Sequence, residues 1–382
     1  MILLEQPYVS DYLIETIRNN SFSVLGTDTA RQSLPETMLT SEHEAIRRYT
    51  NENELFYINS ENAINWITTN LPDTKLAAMV ELCKNKASFR KKLKSLFPNY
   101  FFEECSFDRL STLDVASLKF PLILKPSVGF LSFGVYPVHN ADEWESTIHT
   151  LNIEMNKIKG IFPSNVVDSN NFIIEELIEG EEFAIDAYFD SCGKATILNI
   201  FKHPFFNNKD VSDRAYFTSK EIVETHLEPF QRTLDEIGET VDFQNFPCHI
   251  ELRVNKNAII PIEINPLRFC GWCITDIAQH AWGINVYEYF LKQLKPDWNR
   301  ILSQSDNQLY YFTIADVPSD INKKEIKEID YKSYVSNIQN PLEIRKIDYR
   351  TKPVFAIVFA KTPSTLEIQS FLQLDMHKFI RL

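Results

Sequence analysis

The stretch HIELRVNKNAIIPIEIN, residues 249–265, carries two glutamates, Glu251 and Glu263, on two short apolar runs joined by a turn. Ile250, Leu252 and Val254 alternate with His249, Glu251 and Arg253, and Ile262 and Ile264 alternate with Glu263 and Asn265, the period of two that marks strands. With a three-residue turn at Lys256, Asn257 and Ala258, Asn255 faces Ile259 and Glu251 falls opposite Glu263. Asn257 suits the left-handed conformation such a turn needs. Carboxylates opposed at a Cβ separation of ~5 Å repel each other, and Asn265 shares the face of Glu263. Two carboxylates and an amide oxygen on one face are hard ligands, suited to Mg²⁺ or Mn²⁺ held together with phosphate oxygens. The other reading is a solvated hairpin face, and a turn one residue longer or shorter breaks the register.

A second chemical group lies upstream. FPLILKPSVGFLSFGVYPV ends an apolar strand on Lys125, where a cation is costly unless an anion joins it. The loop that follows, 127–134, offers the hydroxyls of Ser127 and Ser132 and the backbone at Gly129 and Gly134 to phosphate oxygens. It is not a Walker A loop, because the lysine precedes the glycines, and a plain hairpin turn is the alternative. In NFIIEELIEGEEFAIDAYFD an apolar strand leaves through Glu176, Leu177 and Ile178, whose backbone can meet an adenine edge. Glu182 follows, placed for ribose hydroxyls. Asp186 on the next strand is a candidate for a substrate amine, and Arg214, in the polar-aromatic segment 203–219, for a substrate carboxylate or a surface ion pair. CGWC at 270–273 reads as buried thiols before it reads as a redox pair or half a zinc site.

The elements that must hold these residues alternate between strand and helix patterns, the mark of an α/β chain. Residues 1–80 mix short apolar runs with polar helical stretches, a small α/β unit. TKLAAMVELCKNKASFRKKLKSLFP reads as a helical stretch closed by Pro98, and SKEIVETHLEPFQRTLDEIGE and DIAQHAWGINVYEYFLKQL as further helices. From about 300 onward, QLYYFTIADV and PVFAIVFA read as strands of a separate α/β appendage. With 382 residues, 44% hydrophobic and 24% charged, the chain has material for two or three subdomains. A net charge of −13 argues against non-specific nucleic-acid binding. There is no run of the ~18 to 20 apolar residues a membrane span needs, and no signal peptide is read at the N-terminus. Six scattered cysteines suit reduced thiols of a cytoplasmic protein.

Taken in order, these segments resemble the ATP-grasp superfamily, over roughly residues 75–295. Lys86 in NKASFRKKL matches the family's helical lysine; ILKPSVGFLSFG its strand-end lysine and phosphate loop; IIEELIEGEE its adenine hinge and ribose acid; Glu251 and EINP its metal-binding pair and asparagine. The chain departs from the pattern in having Phe130, Leu131 and Phe133 where many relatives carry glycines, and in placing Arg268 three residues, not two, past Asn265. The resemblance implies an ATP-grasp fold with an N-terminal Rossmann-like subdomain (1–80), an ATP-grasp domain (81–300) with a mobile lid at about 120–180, and a C-terminal α/β appendage (301–382). It also implies ATP with Mg²⁺ or Mn²⁺, and a small carboxylate phosphorylated to an acyl phosphate that an amine or other nucleophile then displaces, releasing ADP and phosphate. Lys86 and Lys125 would contact phosphates, Glu251, Glu263 and Asn265 would hold metal, and Arg268 would stabilise the transferring group. A carboxylase, or a non-catalytic ATP-binding protein of the same fold, is the rival reading. Neither nucleic acid nor membrane is expected as a partner, and the chain is compatible with a homodimer.

Overall fold

In the computed structural model, residues 1–129, 134–158, 170–205, 214–255 and 258–382 are described. The short apolar runs at the start become β1 (Ile2–Leu3), β2 (Val24–Leu25), β3 (Leu39–Thr40) and β4 (Tyr57–Ile58), a parallel sheet in the order β3-β2-β1-β4. Ser10, Thr27 and Ser41 start the intervening helices by accepting a hydrogen bond from a first-turn N–H, the usual way to satisfy those orphan donors. The basic stretch after residue 74 forms two helices rather than one, Lys75–Lys84 and Lys86–Lys92. Asn85 makes the break: its backbone is extended and its side chain accepts from the N–H of Ser88, capping a new helix whose first residue is Lys86.

A second sheet is built from β5 (Phe102–Ser106), β6 (Leu122–Pro126), β7 (Tyr136–Val138) and β8 (Asn171–Glu176), antiparallel in the order β5-β8-β6-β7. With the helix Ala141–Ile158 it has its own small core, Leu122, Leu124, Trp144, Leu151 and Phe172 among others. The stretch expected as a lid thus shares its sheet with β5, which begins at Phe102.

The remaining chain forms β9 (Glu181–Phe189), β10 (Ala195–His203), β11 (Ala215–Thr218), β12 (Phe246–Asn255), β13 (Ala258–Pro266), β14 (Leu309–Asp316), β15 (Glu328–Ile329), β16 (Pro341–Lys346), β17 (Val354–Thr362) and β18 (Ile380–Arg381). Eight of them make one antiparallel sheet, β13-β12-β9-β10-β11-β14-β17-β16, while β15 pairs with β18. The helix Lys220–Val241, capped by Ser219, packs along β10 and buries Ile222, Phe230, Leu234 and Ile237. The expected helix after the hairpin is interrupted: Ile277–Trp282 ends on Gly283 at φ 68°, and Val286–Leu291 resumes from an Asn285 cap. The segment after residue 300 does not sit apart from the central sheet. Its β14 pairs with β11, and Tyr311, Val358 and Phe379 share one core with Phe56, Phe183 and Ile250. No helix among the described residues is long and apolar enough to cross a membrane.

The hairpin register needs one correction. Asn255 pairs with Ala258, not Ile259, so the turn is one residue shorter than expected. A bulge between Leu252–Pro261 and Glu251–Glu263 adds the missing residue, Ile262, and returns Glu251 to a position opposite Glu263.

Candidate active site

A cleft of about 580 Å³ opens where the three larger sheets meet. One wall comes from β6 and β8 with Lys125, Glu175 and Glu176; the floor from β9, β12 and β13 with Glu182, Glu251, Glu263 and Asn265; a third side from Ser60 and Glu61 beyond β4. Lys86, Gly129, Leu177, Ile178 and Arg268 also line it.

At the hairpin, the Asn265 amide donates to Glu251 Oε1 at 3.2 Å, so the three expected metal ligands share one face. Lys86 Nζ lies 2.9 Å from Glu263 Oε2 and 3.4 Å from the Gly129 carbonyl, and its backbone N–H donates to the Ser127 carbonyl. Burial alone would raise the Glu263 carboxyl, but Lys86 overrides it and holds the carboxyl below its ordinary value. The Lys86 ammonium, which burial would lower, is raised by Glu263 in return. Two carboxylates and an amide fit a divalent cation that completes its shell with phosphate and water oxygens. Among the described residues no group of three or more His, Cys, Asp and Glu side chains forms a cage on its own.

Lys125 answers its own question about burial. It pairs with Glu175, which also takes Arg90 Nε at 2.9 Å, and all three are almost fully enclosed. Glu175 lies one diagonal step from Lys125 across the β6–β8 ladder, where Lys125 faces Ile173. Burial would raise Glu175; the two cations instead hold it at about 2. Lys125 is pushed below its ordinary value, because burial and the cations Arg90 and Lys86 outweigh its share of Glu175. Arg90 further donates to the carbonyls of Pro261 and Ile262, tying this cluster to the bulge beside Glu251 and Glu263.

At the hinge, the N–H groups of Glu176 and Leu177 donate to Phe101 O and Pro121 O at 3.1 Å each, and the Ile178 carbonyl accepts from Arg253 at 2.9 Å. Glu182 is shared: Oε1 lies 2.9 Å from His203 Nδ1, and Oε2 accepts from Arg253 Nε and Nη2 at 3.0 and 2.9 Å. His203 and Arg253, both lining the cleft, were not legible as partners of Glu182, although their strands are its neighbours at the same register. Arg268 meets Glu61 at 2.7 Å, and Glu61 also holds Lys84 at 2.8 Å. Burial would raise Glu61, but Arg268 and Lys84 bring it well below the carboxylate range.

Two expected substrate residues do other work. Asp186 is fully buried and does not line the cleft; Oδ1 takes His249 Nδ1 at 2.7 Å and the Cys270 N–H at 2.8 Å, and Oδ2 takes Thr275 Oγ1 at 2.7 Å. It fixes His249 and the loop after β13, because an unpaired carboxylate at that depth would be too costly. Arg214 likewise stands outside the cleft, donating to the Leu372 and Leu374 carbonyls at 3.1 and 3.5 Å, with Asp316 4.0 Å away. Ser127 is wholly buried, and its hydroxyl makes no hydrogen bond among the described residues. Ser132 and its neighbours 130–133 lie outside the described residues. Neither Cys270 nor Cys273 forms a disulfide, and burial raises Cys273 to about 11.

A large antiparallel sheet, a smaller antiparallel sheet and the charged cleft that both line make the frame of the site. Residues 118–276 match the family model described as the ATP-grasp domain, so this part of the chain carries an ATP-grasp domain. Among solved structures it is similar to an L-amino acid ligase from Bacillus licheniformis, at 18% identity and a TM-score of 0.70, covering 100% of this chain and 97% of that one. It is also similar to N5-carboxyaminoimidazole synthase from Aspergillus clavatus, solved with ADP and 5-aminoimidazole ribonucleotide, at 12% identity and a TM-score of 0.64, covering 97% of each chain. A third is the biotin carboxylase domain dimer of Hydrogenobacter thermophilus 2-oxoglutarate carboxylase, solved with MgADP, ADP and bicarbonate, at 10% identity and a TM-score of 0.61, covering 95% and 86%. At these identities the likeness shows the fold. No curated protein matches the chain by sequence.

Proposed function

We propose that the chain is an ATP-dependent ligase that activates a small carboxylate as an acyl phosphate and joins it to an amine. The observation that carries this reading is the convergence of Glu251, Glu263 and Asn265 with Lys86, Lys125 and Arg268 in one cleft. Structures of the same fold hold ADP, and one of them MgADP, and one is an L-amino acid ligase. Mg²⁺ or Mn²⁺ held by Glu251, Glu263 and Asn265 would neutralise phosphate charge. Lys86 leaves Glu263 to meet a terminal phosphate oxygen, and Lys125, already weakened as an ammonium by burial, gains a second anion. Glu176, Leu177 and Ile178 face the adenine, and Glu182 the ribose, exchanging some of their present partners for the nucleotide. A substrate carboxylate oxygen attacks the γ-phosphorus, ADP leaves, and Arg268 steadies the charge on the transferring group. The amine nitrogen then attacks the acyl carbon and expels phosphate, losing a proton. Such transfer depends on positioning and charge neutralisation more than on covalent help from the protein.

The chemistry is tested with ¹⁸O in the substrate carboxylate. ADP as the nucleotide product and label in the released phosphate are expected; AMP with pyrophosphate, or unlabelled phosphate, would refute the acyl-phosphate route. Bicarbonate as the best acid would indicate a carboxylase. Glu263→Gln is expected to lower metal-dependent phosphate release by roughly 100-fold or more, the scale of losing one electrostatic stabiliser. Near-normal release in that variant would remove Glu263 from the metal site.

A further inference from the structure

We infer that the acid activated here carries an uncharged, apolar side chain, seated against a wall formed by Tyr216, Trp272, Ile274, Phe312 and Ile314. This rests on the ligase reading above and adds the class of its substrate. Charged groups, Lys86, Lys125, Glu251, Glu263 and Arg268, line part of the cleft, and the five residues of the wall, which belong to one apolar cluster, also line it. Phe312, Ile274 and Tyr216 are only 1%, 3% and 5% exposed, so they form the packed backing of the wall, and the half-buried Trp272 and Ile314 are the part of it that a ligand would meet. Tyr216 and Phe312 stack with centroids 5.5 Å apart, and His203 stacks on Tyr216 at 4.1 Å, so the wall is a continuous aromatic face.

The wall starts beside the charge that would hold the reacting group. A methyl placed on Gly271 would lie 3.5 Å from Arg268 Nη1, so the loop 270–273 abuts the guanidinium. A carboxylate drawn to Arg268 therefore extends its substituent past Gly271 towards Trp272. The loop is held stiffly: Trp272 and Cys273 sit at φ 57° and 54°, a conformation non-glycine residues adopt only when the surroundings enforce it. The enforcement is visible. Arg345, nearly buried, donates to the Cys273 carbonyl at 2.8 Å and pairs with Asp276 at 2.7 Å, while Asp186 holds the Cys270 N–H. A charged substituent on this wall would lose its hydration without a counter-ion. Among the described lining residues, Arg253 is already held by Glu182 at 2.9 Å, and the Lys352 ammonium donates to Gln6 Oε1 at 2.9 Å.

The test uses the full-length protein with Mg²⁺-ATP and hydroxylamine as a general nucleophile, so that the natural amine need not be known. Phosphate and hydroxamate are measured for acids of similar size: leucine, methionine and phenylalanine against glutamine, glutamate and lysine. The apolar set is expected to exceed the polar and charged set in kcat/KM by about 100-fold, within the range one pocket contact supplies. Ile314→Arg should shift the glutamate-to-leucine ratio at least about tenfold towards glutamate. Trp272→Gly, which suits the positive φ, should raise KM for the apolar acids about tenfold, and retained ADP affinity will show that either variant is folded. Preference of the wild type for charged acids, or an unmoved ratio and KM in both folded variants, overturns the wall as a selector while leaving the ligase reading standing. Absence of phosphate and hydroxamate with every acid overturns the ligase reading and this inference with it.

Discussion

At the scale of single residues, the cleft shows how buried charge is tolerated when each group is claimed twice. Glu175 receives both Arg90 and Lys125, and Glu61 both Arg268 and Lys84. Glu175 makes a sharp prediction, because its carboxyl is held at about 2 against an ordinary 4.5. A depressed carboxyl contributes stability that is fully present above the unfolded value and is lost as pH falls through the folded one. Glu175→Gln should therefore destabilise by about 3 to 5 kcal/mol near neutral pH, since it strands two buried cations. The gap from wild type should narrow as pH drops from about 4.5 towards 2, the window set by the two values. Urea unfolding at a series of pH values measures it, and a gap independent of pH would mean Glu175 does not stay ionised.

At the scale of elements, the decisive joint is the approach of the turn before β9 to β12, the strand that carries Glu251. Gly180 lies between β8 and β9 at φ 125°, and a side chain there would collide with the Val254 carbonyl on β12. Glycine is required for both reasons at once. Gly180→Ala should cost more than about 2 kcal/mol, from backbone strain together with displacement of β12. It should also raise KM for ATP, because Glu182 and Arg253 would move with the strands they sit on. A thermal melt and an ATP titration decide this, and unchanged values in both would show that the two strands tolerate separation. The bulge at Ile262 is a second such joint: it restores the Glu251–Glu263 register after a short turn, and its carbonyl is held by Arg90.

At the scale of the whole molecule, a boundary at residue 300 does not coincide with a gap in packing. β14 continues the central sheet from β11, and β17 and β16 extend it. Leu76, Ile250, Tyr311 and Phe379 belong to one core. A chain ending at 304 should therefore lose cooperative folding rather than release an intact ATP-grasp unit, because β11 would be left as an edge strand with its core half uncovered. Circular dichroism melts of the truncated and full chains are the check. A sharp transition in the truncated chain would show that residues 301–382 are an independent appendage after all. The wall residues Phe312 and Ile314 come from this same segment, so truncation should also abolish acid-dependent phosphate release.

What the sequence determined by itself was local. Alternation with a period of two was enough to draw the hairpin, though Glu251 faces Glu263 only because the bulge at Ile262 offsets a turn shorter than the one read, and a lysine ending an apolar strand was enough to demand an anion near Lys125. The order of four such motifs along the chain was enough to point to the fold. Tertiary structure alone decided the rest, because the partners are far apart in sequence and strand order is not written in any local pattern. Arg90 and Glu175 are 85 residues apart, and Arg268 and Glu61 are 207 apart. For the same reason Asp186 and Arg214, chemically suitable for a substrate, turned out to stand outside the cleft, one gripping the loop after β13 and the other the carbonyls of Leu372 and Leu374. The apolar wall had no signature at all: Tyr216, Trp272 and Phe312 look like ordinary core residues until the sheet order brings their three segments to one side of the cleft.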